Sequence, residues 1–262
     1  MTVTDPSAAK ERYWTRFLPP VLILVTVLAG WQTAVRLLDI PLWLLPAPTD
    51  IVQRFFQTSN LAYHTGITVL EAGSGFLISA VLAIFLASAI VHSKFLERGL
   101  LPYIIISNAI PIIAIIPLLT IWFGFGMAPR VMICMIITFF PIVTNTTQGL
   151  KSADPRALEF MRSINATRLE ILTKVQLPSA LPSIFAGFKI AASLSLVGAV
   201  VAEFYSSDRG LGFLIITAAT QLRTDLLFVA VAILAALGVT AFFFFAWLEN
   251  RALRGQQAEA TR

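Results

Sequence analysis

Apolar residues dominate long stretches of this chain, and short polar stretches separate them. A helix needs about 20 consecutive apolar residues to cross the hydrocarbon core of a bilayer. Six segments meet this requirement: residues 17–38, 65–91, 99–123, 131–149, 181–204 and 226–248. The pattern therefore predicts an all-α, polytopic membrane protein with six transmembrane helices.

Composition supports this class and excludes an ordinary soluble protein. Hydrophobic residues make up 57% of the 262 residues and charged residues only 13%, whereas a soluble domain has about 25% charged residues. The first apolar segment follows Lys10, Arg12 and Arg16, as a signal peptide would. It is longer than a signal-peptide core, however, and no small-residue cleavage site follows it. We therefore expect the first helix to be retained.

The basic residues predict the orientation. If the N-terminus is cytoplasmic, thirteen of the 19 Lys and Arg residues fall in cytoplasmic segments and Lys189 lies within the fifth span. The five on the other side are Arg36, Arg54, Arg130, Arg209 and Arg223. Cytoplasmic loops carry the excess of positive charge in membrane proteins. The sequence thus predicts a cytoplasmic tail over 1–16, a single transmembrane domain over 17–250, and a cytoplasmic tail over 251–262. Scattering of these charges among loops argues against nucleic-acid binding.

Two outer loops carry signs of local structure. Pro46 and Pro48 precede an amphipathic stretch that begins at Asp50, which predicts a short helix lying in the membrane interface. After the fifth span, Asp208, Gly210 and Gly212 indicate a tight loop.

The charged stretch from Asp154 to Pro182 lies between two apolar segments and contains residues that are typical of helix starts and ends. Asp154 followed by Pro155 predicts a helix start, because Asp caps free N–H groups and Pro suits the first helical position. This helix is expected to run to about Ile164, with Asn165 in a left-handed turn. A capping box of Thr167 and Glu170 predicts a second helix that ends before Pro178. We expect two short cytoplasmic helices within 154–176.

Two interpretations of this stretch remain open from its residue pattern. An apolar stripe is formed by Phe160, Ile164, Ile171 and Val175, while the basic side chains face water. The stripe packs under its own helical bundle in the first interpretation. In the second, it inserts into a cleft on a cytoplasmic partner.

The order of residues here resembles the EAA loop of bacterial ABC importer permeases. Glu159 is followed by Asn165, then by Val175, and the stretch closes on Leu177-Pro178. Further matching segments are LLPAPTDIV, IPLLTIWFGFG, FFPIVTNTTQGLKSADP, LPSALPSIFAGFKIA and VVAEFYSSDRGLGFLI, which extend over most of residues 44–216. Together they resemble the branch that includes the sulfonate, taurine, nitrate and thiamine-precursor permeases.

The chain departs from the motif of this family at three positions. Phe160 and Met161 replace its two alanines, and Asn165 replaces its glycine. The resemblance implies a fold like the type I ABC importer permeases and a contact with a cytoplasmic ATPase. The residues that it assigns to this coupling site are Glu159, Phe160, Met161, Arg162, Ser163, Asn165, Ala166, Leu177 and Pro178.

The chain lacks the motifs of an enzyme. It has no GxxxxGK[ST] phosphate loop, and its two histidines form neither an HExxH motif nor a metal cluster. We therefore expect no catalytic residue, no metal and no cofactor in this chain, with ATP and Mg²⁺ bound by the partner ATPase.

Polar groups within apolar spans are candidates for a translocation pathway, because such groups are costly in lipid and usually face the interior. Prolines also free backbone carbonyls there. The candidates are Asn108, Pro111, Thr144, Asn145, Ser195 and Glu203. The alternative for each hydroxyl is a hydrogen bond to its own helix or to a neighbouring helix.

The resemblance implies a permease subunit of an ATP-driven importer in the bacterial inner membrane. Its expected partners are a second copy of the chain, a dimeric ATPase, a periplasmic or lipid-anchored binding protein, and membrane lipid. A local match favours a pyrimidine thiamine precursor or a riboflavin-like solute, with a sulfonate, taurine or nitrate permease as the alternative. An ion-coupled secondary transporter or channel is a rival of another class, although it would more naturally carry buried charge pairs and inverted repeats.

Overall fold

The protein is described by a computed structural model over residues 6–107 and 109–259. Helices account for nearly all of these residues, and no strand occurs among them. The helices are α1 (Pro6–Leu37), α2 (Pro48–Gln57), α3 (Leu61–His92), α4 (Lys94–Ser107), α5 (Ile112–Phe123), α6 (Met127–Lys151), α7 (Pro155–Ser163), α8 (Arg168–Ile171), α9 (Leu177–Ser206), α10 (Leu211–Thr220) and α11 (Thr224–Glu259). The predicted all-α fold is confirmed.

Five helical segments are long and apolar enough to cross a membrane. They are Leu18–Leu37, Leu61–His92, Met127–Lys151, Arg168–Tyr205 and Thr224–Leu253. The predicted number of six spans is therefore not reproduced among the described residues.

The difference lies in the predicted span 99–123, which is divided between α4 and α5. These helices have 14 and 12 residues, or about 21 and 18 Å at 1.5 Å per residue, and each is shorter than the bilayer core of about 30 Å. Pro111 precedes α5 with an extended ψ of 113°. Proline has no N–H to donate, and it disfavours a helical conformation of the residue before it. A count of apolar residues does not detect this break.

The second cytoplasmic helix also differs from the prediction, because it does not end before Pro178. A π-helical turn over Leu172–Gln176 joins α8 directly to α9. In this turn the N–H of Leu177 donates to the carbonyl of Leu172. Pro178 in a regular α-helix would clash with the carbonyl four residues earlier. The wider π turn accommodates the proline without ending the helix.

The chain forms two compact units. The first contains the chain up to Ser59 together with Thr217–Val229. Here Arg36 pairs with Asp50 at 2.5 Å, and Arg54 pairs with Asp225 at 2.6 Å. The short helix predicted at Asp50 is present as α2, and the Asp50 carboxylate accepts the Ala47 N–H at 3.2 Å. Its position in the membrane interface stays a prediction.

The second unit contains Asn60–Ile216 and the chain from Ala230 onward. Its core consists of α3, α6 and α9, which pack through small residues. Gly75 of α3 lies so close to α6 that an added Cβ would overlap the Cβ of Cys134. In membrane proteins such small residues allow helix backbones to approach closely. The close packing fixes the three helices that carry the sites described below.

Candidate functional site

The bend between α7 and α8 has the predicted geometry. Asn165 has a left-handed φ of 55°, and its N–H donates to the carbonyl of Arg162 at 3.0 Å. The next N–H, of Ala166, donates to the carbonyl of Met161 at 3.0 Å. These two bonds form a Schellman motif, which ends a helix with a left-handed residue. The predicted turn at Asn165 is confirmed.

Side chains cap both helices at this bend. The Asp154 carboxylate accepts the N–H of Arg156 at 2.9 Å, which begins α7. At α8, the Thr167 hydroxyl accepts the Glu170 N–H at 3.3 Å, and the Glu170 carboxylate accepts the Thr167 N–H at 2.9 Å. The predicted capping box is confirmed. Local hydrogen bonds thus fix the shape of the segment 154–176.

Large apolar side chains of this segment remain exposed. Phe160 is 64% exposed, Ile164 57% and Leu169 68%. Ile171 and Val175, the other members of the predicted stripe, are only partly covered. Apolar side chains clustered in a charged segment provide a surface suited to contact with another protein.

The proposed coupling residues fall into two groups. Glu159 to Ala166 lie together on α7 and its turn, where Glu159, Arg162, Ser163 and Asn165 are exposed and Met161 and Ala166 are half-buried. Leu177 and Pro178 lie beyond the π turn, at the start of α9, and are half-buried.

We call residues 154–176 the coupling segment. An ion pair just before this segment links the end of α6 to α4. Lys151, the last residue of α6, donates to the Glu97 carboxylate at 2.5 Å. This hydrogen bond and the ammonium charge lower the pKa of Glu97 below its usual value. Both side chains are substantially exposed, so the pair contributes little to stability.

Three of the polar pathway candidates, Thr144, Asn145 and Ser195, donate hydrogen bonds within their own helices. Thr144 donates to the carbonyl of Phe140 at 2.7 Å, and Asn145 to that of Pro141 at 2.8 Å. Ser195 is buried and donates to the carbonyl of Ala192 at 2.8 Å. The alternative of bonding within one helix, which was stated for hydroxyls, therefore describes Thr144 and Ser195, and the Asn145 amide bonds in the same way. Pro111 is exposed at the start of α5, and Asn108 lies outside the described residues. The pathway role of these residues stays a prediction.

A cavity of about 570 Å³ lies among α3, α5, α6 and α9, and it is open to the surface, since Leu82, Ile110 and Ile136 of its lining are exposed. Its lining is formed by Leu82, Ile110, Ile112, Ile115, Met135, Ile136, Ile137, Phe139, Phe140 and Leu194. No charged side chain belongs to this described lining. The cavity is of the size that accepts small organic ligands.

Glu203, the last pathway candidate, is buried and not exposed at a surface. Only 1% of the residue is accessible. Its Oε1 accepts the hydroxyl of Thr68 at 2.7 Å, and its Oε2 accepts the N–H of Gly212 at 2.5 Å. In this conformation Glu203 therefore has almost no surface available for contact with a substrate-binding protein.

Arg130 provides a second buried charge close to Glu203. The sequence placed it among the outer loop charges, but it lies within α6 and is 5% exposed. Its Nη1 donates to Glu71 Oε1 and, at 2.8 Å, to the Ser207 hydroxyl. Glu71 is 1% exposed. The sequence did not predict the pair of Glu71 and Arg130. The available signal was Glu71 itself, because a glutamate within an apolar span usually has a partner.

The loop before α10 is tied to this buried group through its backbone. The N–H of Gly210 donates to His64 Nδ1 at 3.0 Å, and that of Leu211 to the Thr68 hydroxyl at 2.8 Å. Gly210 has a φ of +103°, and an added Cβ would overlap the Glu203 carboxylate. We name the residues His64, Thr68, Glu71, Arg130, Glu203 and the backbone of 210–212 the outer knot, because the predicted orientation, which stays a prediction, places them toward the non-cytoplasmic side.

Residues 75–254 match the family described as the inner membrane component of binding-protein-dependent transport systems. This match covers more than half of the chain. The chain belongs to this permease family. The resemblance that the coupling segment and its flanking motifs indicated is thereby confirmed.

Relatives of known name align over nearly the full length of this permease. A probable ABC transporter permease of Haemophilus influenzae is 36% identical, over 90% of the chain and 97% of the relative. The formylaminopyrimidine permease ThiX of Halalkalibacterium halodurans is 32% identical, over 89% and 94%. The riboflavin permease RibX of Chloroflexus aurantiacus is 36% identical, over 90% and 89%. Permeases named for aliphatic sulfonates, taurine and nitrate align at 28–32% identity.

Solved transporters share the fold of this permease. A chain of the inward-facing MetNI methionine ABC transporter superposes with a TM-score of 0.61 at 17% identity, over 70% of this chain and 94% of the other. An amino acid ABC transporter solved with histidines gives a TM-score of 0.60 at 17% identity, over 78% and 97%. At this identity the likeness concerns the fold alone.

Membership of the family shows which subunit of the transporter this chain is. The permease is the membrane component of an ABC importer, and a separate subunit hydrolyses ATP. The system also depends on a substrate-binding protein. The secondary-transporter alternative is set aside by the same finding.

Proposed function

We propose that this permease imports a small polar or heteroaromatic solute, a pyrimidine thiamine precursor or a riboflavin-like molecule, across the bacterial inner membrane. It works as a homodimer with both termini in the cytoplasm. Two copies of the ATPase bind below, and a periplasmic or lipid-anchored binding protein docks above.

The apolar lining of the cavity is the observation that supports the proposed class of substrate. Its isoleucine, methionine and phenylalanine side chains suit the face of an uncharged ring. A sulfonate or nitrate ion would meet no charged side chain in the described lining, so hydration that it lost on contact would not be replaced by an ion pair. The names of two relatives, for formylaminopyrimidine and riboflavin, agree with a ring-shaped solute.

A sulfonate, taurine or nitrate permease is the second candidate. Relatives with these names align at 28–32% identity, which is close to the values for the ring-solute relatives. The cavity lining disfavours an anion, but transport of one would be the direct sign that this candidate is correct.

The exposed apolar side chains of α7 and α8 support docking to the ATPase. Phe160 and Ile164 are each more than half exposed, and the caps at Asp154 and Thr167 fix where the two helices begin. In alternating access, closure of the ATPase subunits would move this segment as a lever and rock the spans. Hydrolysis then resets the inward-facing state.

Uptake by the reconstituted complex tests the substrate proposal. The permease, its ATPase and its binding protein are placed in proteoliposomes with labelled pyrimidine, flavin, taurine or nitrate. We expect ATP-dependent uptake of a pyrimidine or a flavin. Ile136→Asp, which places a charge on the cavity lining, should reduce this uptake, while Ile136→Leu should retain it. Uptake of taurine or nitrate alone would refute the proposal.

A further inference from the structure

The first compact unit contains a charged pocket that the proposed transport function does not use. The pocket has a volume of about 490 Å³ and lies entirely within this unit, between the end of α1, α2 and the start of α11. Five charged side chains belong to its lining: Arg36, Asp39, Asp50, Arg54 and Asp225. We call it the charged pocket.

Two carboxylates hold the arginines of the charged pocket in place. Arg36 Nη2 donates to Asp50 at 2.5 Å, and Arg54 Nε donates to Asp225 at 2.6 Å. The Nε and Nη1 groups of Arg36 and both Nη groups of Arg54 have no acceptor among the described residues. Each guanidinium is therefore fixed through one nitrogen and retains N–H donors for a ligand. Arginine is well suited to bind phosphate through such donors.

Asp39 provides a negative charge that remains unbalanced in the charged pocket. Its side chain is exposed, and in the part of the chain that the structure describes its carboxylate accepts no hydrogen bond and forms no ion pair. The pocket thus has one more aspartate than arginine. A ligand with both a phosphate and an ammonium group matches these unused donors and this unused acceptor.

The charged pocket lies at the end of a helix whose length matches the core of a bilayer. The apolar segment Leu18–Leu37 has 20 residues, or about 30 Å, which is the thickness of the hydrocarbon core. Arg36 lies in the last turn of this helix. The pocket is therefore at the level of the lipid headgroups of one leaflet. Trp43, which is exposed, follows closely in the chain, and tryptophan is enriched at this level of the membrane.

Apolar surface for acyl chains adjoins the charged pocket. Leu37 is 77% exposed on α1, and Ile23 and Val27 are also exposed along this helix. Leu42 belongs to the lining of the pocket itself and is exposed. An apolar helix surface thus ends where the charged lining begins. A phospholipid has the same order of groups, with apolar chains followed by a charged headgroup.

We propose that the charged pocket binds the headgroup of an ethanolamine phospholipid. The phosphate accepts hydrogen bonds from Arg36 and Arg54, the primary ammonium group donates to the Asp39 carboxylate, and the acyl chains lie along α1. A choline headgroup has no N–H to donate to Asp39. A glycerol headgroup leaves the phosphate charge uncompensated beside this carboxylate. Because the two arginines belong to α1 and α2, the bound lipid stabilises the junction of these helices.

Lipid titration of the purified permease tests this proposal. Native mass spectrometry gives the dissociation constants of dioleoyl phosphatidylethanolamine, phosphatidylcholine and phosphatidylglycerol. We expect the ethanolamine lipid to bind roughly fivefold more tightly than the glycerol lipid, which is the contribution of an exposed ion pair. Asp39→Asn should bring this ratio close to one. Its backbone should be retained, because Asp39 has a left-handed φ of 49° that asparagine also tolerates.

A pair of arginine variants locates the phosphate. Arg36→Gln should weaken the binding of all three lipids. Arg223→Gln is the matched control, since Arg223 is exposed in the same unit and does not line the pocket, and it should keep the wild-type affinities. Glycerophosphoethanolamine, which has the same headgroup without acyl chains, should bind more than about tenfold more weakly than the lipid, because no apolar surface is covered.

The thermal unfolding midpoint and the oligomeric state are measured for each variant in parallel. Equal affinities of the wild type for the three lipids, or an unchanged ratio in Asp39→Asn, would overturn the proposal. Equal binding of the headgroup without chains would identify a site for a soluble zwitterion instead. A changed oligomeric state of Arg36→Gln with unchanged lipid affinities would likewise overturn it, because the pocket would then be a contact with a second copy of the chain.

Discussion

Replacement of Phe160 by alanine is the most direct test of the coupling segment. The side chain is 64% exposed in the isolated permease and is expected to become buried against the ATPase. A phenylalanine can bury about 200 Å², so about 100 Å² of apolar surface beyond that of alanine is available for the contact. At about 25 cal/mol per Å² this corresponds to about 2.5 kcal/mol.

This free energy predicts a large loss of affinity. About 2.5 kcal/mol corresponds to a roughly 70-fold increase in the dissociation constant of the ATPase. The assay is titration of purified ATPase onto the permease in nanodiscs, with thermal unfolding of the permease measured in parallel. Phe160→Asp should weaken binding further, because a charge would be buried at the contact.

Phe95 provides the matched control for this experiment. It lies on α4 and is 84% exposed, but it is outside the coupling segment. Phe95→Ala should therefore leave ATPase affinity unchanged. Equal affinities for the wild type and Phe160→Ala would refute our interpretation of the segment and favour a helix that packs only under its own bundle.

Two further pairs of substitutions test local geometry. Asn165→Gly should preserve uptake, whereas Asn165→Val should reduce it, because a β-branched residue at a φ of 55° costs about 1–2 kcal/mol or more; equal uptake by both variants would contradict this account of the bend. Gly75→Leu should destabilise the permease by about 1–3 kcal/mol through overlap with Cys134. A Cβ added at Gly73 on the same helix meets no atom within 4 Å, so Gly73→Leu should lower the unfolding midpoint much less than Gly75→Leu, and a similar loss in both variants would contradict the proposed packing.

Features set by neighbouring residues were predictable from the sequence. The caps at Asp154 and Thr167 and the turn at Asn165 depend on hydrogen bonds that span two to five residues. Apolar length alone identified most of the spans. Pro111 was named as a residue that frees backbone carbonyls, but 99–123 was still counted as one span, because hydropathy does not register whether a backbone N–H exists to continue a helix.

The outer knot could not be predicted because its members are far apart in the chain. Glu71 and Arg130 are separated by 59 residues, and Thr68 and Glu203 by 135. Their pairing depends on how α3, α6 and α9 pack, which a single sequence does not specify. Arg130 was therefore counted as a loop charge, although it satisfies a buried carboxyl group.

One continuous helical segment runs from the coupling segment to the outer knot. The π turn lies within it, so a substitution there tests whether this segment transmits motion. Residues Arg168–Tyr205 form a continuous segment of 38 residues, about 57 Å long. Pro178→Ala would restore an N–H that can bond to the carbonyl four residues earlier, so the π turn would relax toward an α-helix. A register change of one residue rotates α8 by about 100° relative to α9.

This rotation should uncouple ATP hydrolysis from transport while leaving the outer knot intact. We expect fewer solute molecules imported per ATP hydrolysed, together with slower amide exchange across Leu172–Gln176, because α-helical bonds replace the π turn there. Pro182→Ala is the matched control, since Pro182 lies inside α9 beyond the π turn, and it should retain the wild-type ratio. An unchanged ratio in Pro178→Ala would mean that the orientation of α8 relative to α9 does not transmit the motion of the ATPase.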